Sequence, residues 1–500
     1  MLSSTRAHSA HISRGRCPAS AAGREAFRDL ERWLGAEFSQ RLGLPSVERE
    51  TEWRGQKMLR LLLQEHIDRR GTGDVGLALR VSLPEGGCLL HTHRRLHTRN
   101  LITVFGQVSI TRTGYGAHGG PWLHPLDAEL QLPARIYSYE VQRRVVKAAV
   151  QGPFDEAIAL LADFNGIEMP KRSAEQIVLD ASVDFEAFYD QRRGARRGLK
   201  DVILVAAIDG KGIPMVKAEP AEVAVRLRKG QKRQKKRMST VAAVFSHHPR
   251  PRTPEEVAQS LFAPAQPAAR SRPCQERSRP QDKRVWASLL TDKTAFITGV
   301  RDELQRRDPD HELPWVIVTD GERALQKRVC ALLADVPLVL DLFHVLEKLW
   351  KAAHALHPEG SPEAQSFVRD RTLRILRGQV GQVVKGLRQM VTKRKLRGAK
   401  RNALSRAADY LRRNRGRMQY NVYLANGWPI ASGSVEGACK NLVKDRMERS
   451  GMRWTPPMAE AMLRLRATHL SGDFEQYWDF HVKQDQQRLH PNHLWTVVEE

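Results

Sequence analysis

Cysteine, acidic charge and long apolar runs are all scarce in this sequence. Its 500 residues include five cysteines, and no two of them have the Cys-x-x-Cys spacing of a zinc half-site or a redox pair. Three histidines, His91, His93 and His97, have no cysteine near them except Cys88, which favours a solvated or phosphate-facing segment over a metal site. We therefore expect neither disulfide bonds nor structural zinc.

The apolar runs are too short for a membrane protein. The longest, residues 202–208, falls far below the roughly 18 to 20 residues that a membrane helix needs. Residues 1–20 are rich in Ser, Arg and His and lack the apolar segment of a secretory signal. These absences predict a soluble, cytoplasmic protein without a membrane partner.

Positive charge is what the sequence has in excess. Lys and Arg total 82 against 56 for Asp and Glu, which gives a formal net charge of +26. A chain of this kind is expected to bind DNA or RNA with a steep salt dependence, because each neutralised phosphate releases condensed counterions. The alternative, that the basic residues only keep the surface soluble, explains so large an excess of positive charge less well. We therefore expect a protein that is associated with the DNA of the nucleoid.

Changes in composition and periodicity divide the chain into six predicted regions. The composition allows two or three domains with hydrophobic cores, since 41% of the 500 residues are hydrophobic. The regions are a partly disordered N-terminal region (1–98), a short strand pair with a helical DNA-binding region (99–198), the first part of a catalytic core with a flexible loop at 249–283 (199–360), a basic helical insertion (361–430), the second part of the core (431–485) and a tail (486–500).

Residues 154–180 have the pattern of a helix-turn-helix. Two helical segments flank the turn Asn165-Gly166, and the second would present Lys171 and Arg172 to a DNA groove. An ordinary helical hairpin explains the pattern about equally well. The basic residues at the start of the second helix slightly favour the DNA-binding interpretation.

From residue 199 the periodicity predicts an α/β fold. Strands at 201–208, 213–216, 239–246, 315–319 and 337–340 alternate with helices in the order of a ribonuclease H-like mixed five-stranded sheet, interrupted by the basic helical insertion and preceded by the mainly helical DNA-binding region. In such a sheet the first and fourth strands are parallel neighbours. Asp209 and Asp320, which end two of the apolar runs, should therefore face each other.

Asp209, Asp320 and Glu436 are candidate metal ligands, since carboxylate oxygens are what Mg²⁺ prefers. Each has an ordinary explanation: Asp209-Gly210 as a hairpin turn, Asp320 as a helix cap, and Glu436 as a partner of a helix dipole. Their joint placement in a strongly cationic chain favours a catalytic triad.

Basic residues near these acids are candidate DNA contacts. The densest run lies between the predicted second and third strands, and a second group follows Glu436 on a helix-like segment. Solvated faces are the ordinary explanation of such runs. The candidates are Arg226, Arg228, Lys229, Lys232, Arg233, Lys235, Lys236 and Arg237 in the first group, and Lys440, Lys444, Arg446 and Arg449 in the second.

Four segments of the chain resemble the signature blocks of bacterial insertion-sequence transposases of the DDE type. The resemblance is closest to the IS-Kra family, which is related to the Mutator-like group, and it covers roughly residues 100 to 485. The segments are 207–212, 318–325, 340–350 and 433–441.

The resemblance implies that Asp209, Asp320 and Glu436 are catalytic and hold two Mg²⁺ or Mn²⁺ ions. The Asp-x-x-His signature falls on Asp341 and His344, which would support the site, although Asp341 could instead replace Asp320 as the second metal ligand.

The implied function is transposition. The protein would bind the ends of its element as double-stranded DNA, cleave them and transfer the strands to a target by direct transesterification, as a homo-oligomer on DNA. Two other functions stay open from the residues: a ribonuclease H-like nuclease or resolvase without strand transfer, and a DNA-binding regulator whose catalytic site has decayed.

Overall fold

The structure, a computed structural model, describes residues 22–82, 87–192, 201–216, 236–262, 280–431, 433–490 and 495–498. The chain forms two compact units. One comprises residues 1–177 and 478–500, and the other comprises residues 178–477. In the described ranges, no helix has the length and apolar character needed to cross a membrane.

The first unit combines helices with two small antiparallel sheets. Its helices are α1 (Ala22–Gly35), α2 (Glu37–Gln40), α3 (Leu44–Asp68), α4 (Pro125–Glu129), α5 (Tyr139–Ala149) and α6 (Phe154–Asn165), and α7 (Lys171–Ala181) crosses into the second unit. Its strands are β1 (Ala78–Ser82), β2 (Cys88–His91), β3 (His93–Thr103), β4 (Gly106–Gly116) and β10 (Trp495–Val498).

The predicted strand pair near residue 100 is confirmed and is longer than expected. Strands β3 and β4 pair over eleven residues each, and their turn lies at residues 104–105, with Gly106 as the first residue of β4. Apolar side chains of this hairpin, including Val108 and Ile110, form a core with Ile67 and Leu126 from the helices. The chain from 22 to 98 therefore contributes helices and strands to this unit.

Two further expectations change in this unit. His91 is buried, with Nδ1 3.2 Å from the Tyr115 carbonyl oxygen, so it is a core histidine rather than a solvated one. The predicted tail is not structureless throughout: β10 pairs antiparallel with β1 in a sheet of order β10-β1-β2.

The second unit is built on the predicted five-stranded mixed sheet. Its strands are β5 (Ile203–Pro214), β6 (Lys236–His247), β7 (Gln281–Ser288), β8 (Trp315–Thr319) and β9 (Leu338–Leu340), in the order β7-β6-β5-β8-β9. Strand β6 is antiparallel to β5 and β7, whereas β5, β8 and β9 are parallel. Residues 202–208 are all buried, as expected for a central parallel strand.

The first predicted strand, 201–208, lies mostly in β5, but the assignment of the second and third strands from sequence was wrong. Residues 213 and 214 of the predicted strand at 213–216 belong to the end of β5, because the chain stays extended past Gly210 and Gly212 while pairing with β6. The third strand is β7, which begins inside the stretch predicted to be a flexible loop at 249–283. That stretch also contains helix α9 (Pro254–Phe262).

The remaining helices cover the sheet and form the insertion. They are α8 (Phe185–Gln191), α10 (Lys293–Arg307), α11 (Arg323–Leu332) and α12 (Leu342–His354), the insertion helices α13 (Pro362–Leu376), α14 (Val380–Lys393), α15 (Gly398–Arg413) and α16 (Tyr420–Ala425), and then α17 (Gly433–Ala438), α18 (Asp445–Met447), α19 (Pro456–Ser471) and α20 (Phe474–Leu489), of which α20 crosses into the first unit. A π-helical turn, Cys439–Lys444, joins α17 to α18.

Candidate active site

Three aspartates leave the central parallel strands in one row. Ile208 of β5 is in register with Thr319 of β8, and Thr319 is in register with Leu340 of β9. The next residue in each case is an aspartate: Asp209, Asp320 and Asp341. The Asp341 amide donates to the Thr319 carbonyl oxygen at 2.9 Å, which ties the second and third members of the row together. Strand register therefore brings these acids to one edge of the sheet.

The negative charges in this row act on one another. Burial, followed by the charge of Asp209, raises the pKa of Asp320 above its ordinary range. A hydrogen bond from the Glu322 amide to Asp320 Oδ1, at 2.9 Å, opposes the rise but does not cancel it. The pKa of Asp320 is therefore raised mainly by burial, with a smaller contribution from the charge of Asp209.

Asp341 also caps helix α12 and lies beside a histidine. It is only 1% exposed, and its Oδ1 accepts a hydrogen bond from the Phe343 amide at 2.7 Å as an N-cap. His344 Nδ1 lies 3.8 Å from Asp341 Oδ2. The interaction with Asp341 raises the pKa of His344, and Asp209 and Asp320 add to the rise, so this imidazole faces all three aspartates.

Asp209 is held by a cysteine that the sequence analysis did not assign to the site. The Cys439 thiol donates to Asp209 Oδ2 at 3.3 Å, while Oδ1 accepts from the Gly210 amide at 2.7 Å. Burial and then the charge of Asp209 raise the pKa of Cys439, so the thiol keeps its proton and acts as the donor. The only sequence signal was its place three residues after Glu436, one helical turn along.

Glu436 lies on the short helix α17 and is exposed. It lines an open groove of about 540 Å³ together with residues of α12, among them Phe343 and Trp350. Across the described ranges, no three His, Cys, Asp or Glu side chains are placed to hold a metal ion as they stand. The complete triad of Asp209, Asp320 and Glu436 thus stays a prediction, whereas the neighbourhood of its two aspartates is a feature of the structure.

A second residue missed by sequence reasoning is Tyr410 of the insertion. Its ring lies directly over Gly321, the residue after Asp320, and Lys348 Nζ stands 5.3 Å from the ring centroid. An isolated tyrosine in a basic helical segment carries no sequence signal of this contact, because the contact depends on how α15 packs.

The candidate DNA contacts on the first unit lie at the start of α7. Lys171 Nζ pairs with Asp155 at 2.7 Å, and Arg172 is exposed. Gly166, with a φ of 60°, ends α6 in the left-handed conformation before α7 begins. Both helices are therefore present, but this geometry suits a helical hairpin as well as a DNA-binding motif.

The basic residues on the second unit fall into three groups. Lys236, Arg237, Lys440, Lys444 and Arg449 are exposed, with Lys236 Nζ 2.6 Å from Glu448 Oε1. Arg446 is a correction: it is fully buried, with its guanidinium 4.9 Å from the Trp454 ring centroid, so it supports the core rather than facing DNA. The candidates Arg226, Arg228, Lys229, Lys232, Arg233 and Lys235 lie outside the described residues.

The insertion contains a basic groove between α14 and α15. Its volume is about 610 Å³, and its basic lining residues are Lys385, Arg388, Lys393, Arg412 and Arg415. One acid moderates this charge, because Asp409 accepts a 3.0 Å contact from Arg388. The other basic residues of the groove offer cationic groups of the kind that bind phosphates.

Comparisons with known proteins add little to this geometry. No family model matches the chain, and no curated protein matches it. Among solved structures, the chain is similar to the Drosophila P element transposase strand transfer complex, with 13% sequence identity and a TM-score of 0.27 over 71% of this chain and 84% of that chain. At these values the similarity supports no conclusion about fold or function.

Proposed function

We propose that the chain is a DNA transposase of the DDE type, encoded by an insertion sequence, and that residues 178–477 contain a ribonuclease H-like catalytic core. The observation that carries the proposal is the row of Asp209, Asp320 and Asp341 at one edge of the mixed sheet. Numbered along the chain, the sheet has the order 3-2-1-4-5 with only the second strand antiparallel, and its first and fourth strands are parallel neighbours.

Two divalent cations, Mg²⁺ or Mn²⁺, are the proposed cofactors. When bound between shared carboxylates, such ions activate water and stabilise the attacking and leaving oxygens of a phosphoryl transfer. The residues fit this group in chemistry: carboxylates supply the hard oxygen ligands that it prefers, and Asp209, Asp320 and Asp341 follow residues that are in register on neighbouring strands. Asp209 and Asp320 would be ligands, and the third would be Glu436 or the buried Asp341.

The protein's own groups would hold this site in shape. Cys439 fixes one oxygen of Asp209, the Glu322 amide fixes one oxygen of Asp320, and the Phe343 amide fixes one oxygen of Asp341. His344 keeps its proton to a higher pH than an ordinary histidine because it faces the three acids. In the proposed reaction this imidazole would lie beside the phosphodiester, with its Nδ1 3.8 Å from Asp341 Oδ2.

Double-stranded DNA, as element ends and as target, is the proposed partner. The net charge of +26, the basic groove of the insertion and the exposed Lys440, Lys444 and Arg449 support this choice. Transposition requires two element ends to be held together, so we expect the active form to be a homo-oligomer on DNA.

The test is a cleavage assay on a DNA fragment that carries the coding region with its natural flanks, with Mg²⁺ or Mn²⁺ added. Asp320→Asn should abolish cleavage and leave DNA binding intact, while the exposed Asp335→Asn serves as the matched control. Joined products in a target plasmid distinguish transposition from simple hydrolysis. Cleavage without joining would favour a nuclease or resolvase, and cleavage by Asp320→Asn would contradict the proposal.

A further inference from the structure

Helix α15 of the insertion places a tyrosine against the turn that follows β8. A Cβ atom added to Gly321 would overlap both the hydroxyl and the ring of Tyr410. A glycine at 321 is therefore what allows this ring to approach the backbone next to Asp320. The contact joins two segments about 90 residues apart in the chain, so it reports tertiary packing rather than local structure.

The Tyr410 hydroxyl is buried and has no hydrogen-bond partner among the residues that the structure describes. A buried donor without an acceptor is costly, so such groups usually have a role that the bare fold does not satisfy. Burial, and then the charges of Asp320 and Asp341, raise the pKa of Tyr410, which keeps the hydroxyl protonated. The group is thus a donor that lacks an acceptor, within electrostatic reach of two carboxylates.

The same helix contributes to the basic groove. Two residues beyond Tyr410, Arg412 lines the groove with Lys385 and Arg388 of α14. The C-terminal end of α15 therefore carries both Tyr410, which contacts the Asp320 turn, and Arg412, which could bind a DNA phosphate. A single rigid element connects the proposed catalytic acids with the proposed DNA-binding surface.

We propose that Tyr410 is a positioning residue for DNA cleavage: its ring fixes the Asp320–Gly321–Glu322 turn, and its hydroxyl, which has no acceptor among the described residues, would donate a hydrogen bond to the aspartate cluster when cations bind. The insertion would thereby complete the site. DNA bound in the basic groove would contact α15, and α15 would in turn help to fix the position of the Asp320 turn. This inference rests on the proposed function, because it assigns a role within that reaction.

Tyr410→Phe tests the hydroxyl, since it keeps the ring over Gly321 and removes only the donor. Groups that orient ligands of a metal site are typically worth about 10- to 100-fold in metal affinity or activity. We expect a loss in that range in the single-turnover cleavage rate at saturating DNA, with an unchanged DNA dissociation constant. Mn²⁺ affinity, measured without DNA from the electron paramagnetic resonance signal of the free ion, should weaken as well.

The matched control is Tyr423→Phe. Tyr423 is a buried tyrosine of the insertion, and its ring stacks on Trp428, with 5.6 Å between the ring centroids, rather than on the Asp320 turn. It should cleave DNA and bind Mn²⁺ like the unaltered protein. Circular dichroism and thermal melting of each variant will separate loss of fold from loss of positioning.

A double-mutant cycle tests the ring contact. Gly321→Ala should displace the ring and slow cleavage about as much as Tyr410→Ala does. The combined variant should be no slower than either single variant, because both changes remove one interaction. Independent, multiplicative losses would overturn the ring's role.

The outcomes separate this inference from the proposed function. If the unaltered protein cleaves and Tyr410→Phe matches it in rate and in Mn²⁺ affinity, the inference is overturned while the function stands. If the unaltered protein neither cleaves DNA nor binds Mn²⁺, the proposed function fails and the inference falls with it.

Discussion

The acids of the sheet edge and the acid of helix α17 are held in different ways. Asp209, Asp320 and Asp341 follow directly from residues in register on three parallel strands, so the backbone hydrogen bonds of the sheet fix their spacing. Glu436 sits on a six-residue helix that passes into a π-helical turn, and its side chain is exposed. Single π-helical turns are rare and often occur at functional sites.

This difference suggests which part of the proposed metal site is formed before a cation binds and which part is not. Strand register holds like charges together even without a cation, and the raised pKa of Asp320 is the cost. In the proposed reaction, Glu436 on its short helix would approach the aspartates when the ions and DNA bind. Asp341 and Glu436 are therefore both candidates for the third ligand of the proposed site. The variants with the largest predicted effects distinguish between them.

The largest effect should come from the third ligand itself. If Glu436 binds the metal, Glu436→Gln should lower the cleavage rate by more than about 100-fold, beyond the range typical of a supporting group. Asp341→Asn should then cost about 10- to 100-fold, because Asn still caps helix α12. Single-turnover cleavage measures both, with the exposed Glu359→Gln as control. The reverse ranking would assign the ligand to Asp341.

A smaller loss is expected from the cysteine that holds Asp209. Cys439→Ala removes the donor to Asp209 Oδ2 and should slow cleavage by roughly tenfold or more. Cys439→Ser keeps a donor at the same position and should recover most of the rate. Equal rates for the two variants would show that the thiol only fills space.

Much of the sheet edge could be predicted from the sequence, since continuous apolar runs at 202–208 and 315–319 indicate buried parallel strands that end near acids. Strand β7 could not be, because residues 281–284 are polar or charged and follow a Pro- and Arg-rich stretch. The turn suggested by Asp209-Gly210 was overridden by pairing with β6.

Side-chain surroundings were the least predictable part of the site. Spacing alone gave no reason to place Arg446 inside the core, because a basic residue on a helix is usually solvated. Cys439 and Tyr410 act through contacts with residues far away in the chain. Such contacts depend on how the insertion and the π-helical turn pack, which no local pattern encodes.

A modest effect on stability should accompany the raised pKa of Asp320. For a carboxyl whose pKa is raised on folding, ionisation costs stability: the cost is absent well below the ordinary pKa of 3.8 and is fully present above the folded-state pKa. Asp320→Asn should therefore raise Tm near neutral pH without divalent cations. The difference from the unaltered protein should vanish as the pH falls through that window, as thermal melting can show. An Asp320→Asn variant that melts earlier near neutral pH would contradict the raised pKa.

The smallest effects concern DNA affinity away from the acids. Arg412→Gln should weaken DNA binding and reduce the slope of log affinity against log salt by about one, because one phosphate contact is lost. Arg301→Gln, which alters an exposed arginine of α10 next to Asp302, is the control. Arg446→Gln should instead lower Tm, since that side chain is buried. An unchanged slope for Arg412→Gln would remove the groove from the DNA-binding surface.

The central claim is that the aspartates of the sheet edge bind divalent cations for DNA cleavage. Its most direct test is to count Mn²⁺ ions bound to the unaltered protein and to Asp209→Asn and Asp320→Asn, in the presence of the DNA fragment used for cleavage. We predict saturable binding of two ions that either substitution weakens strongly. Binding that is undiminished in both variants, or no specific binding to the unaltered protein, would contradict the claim.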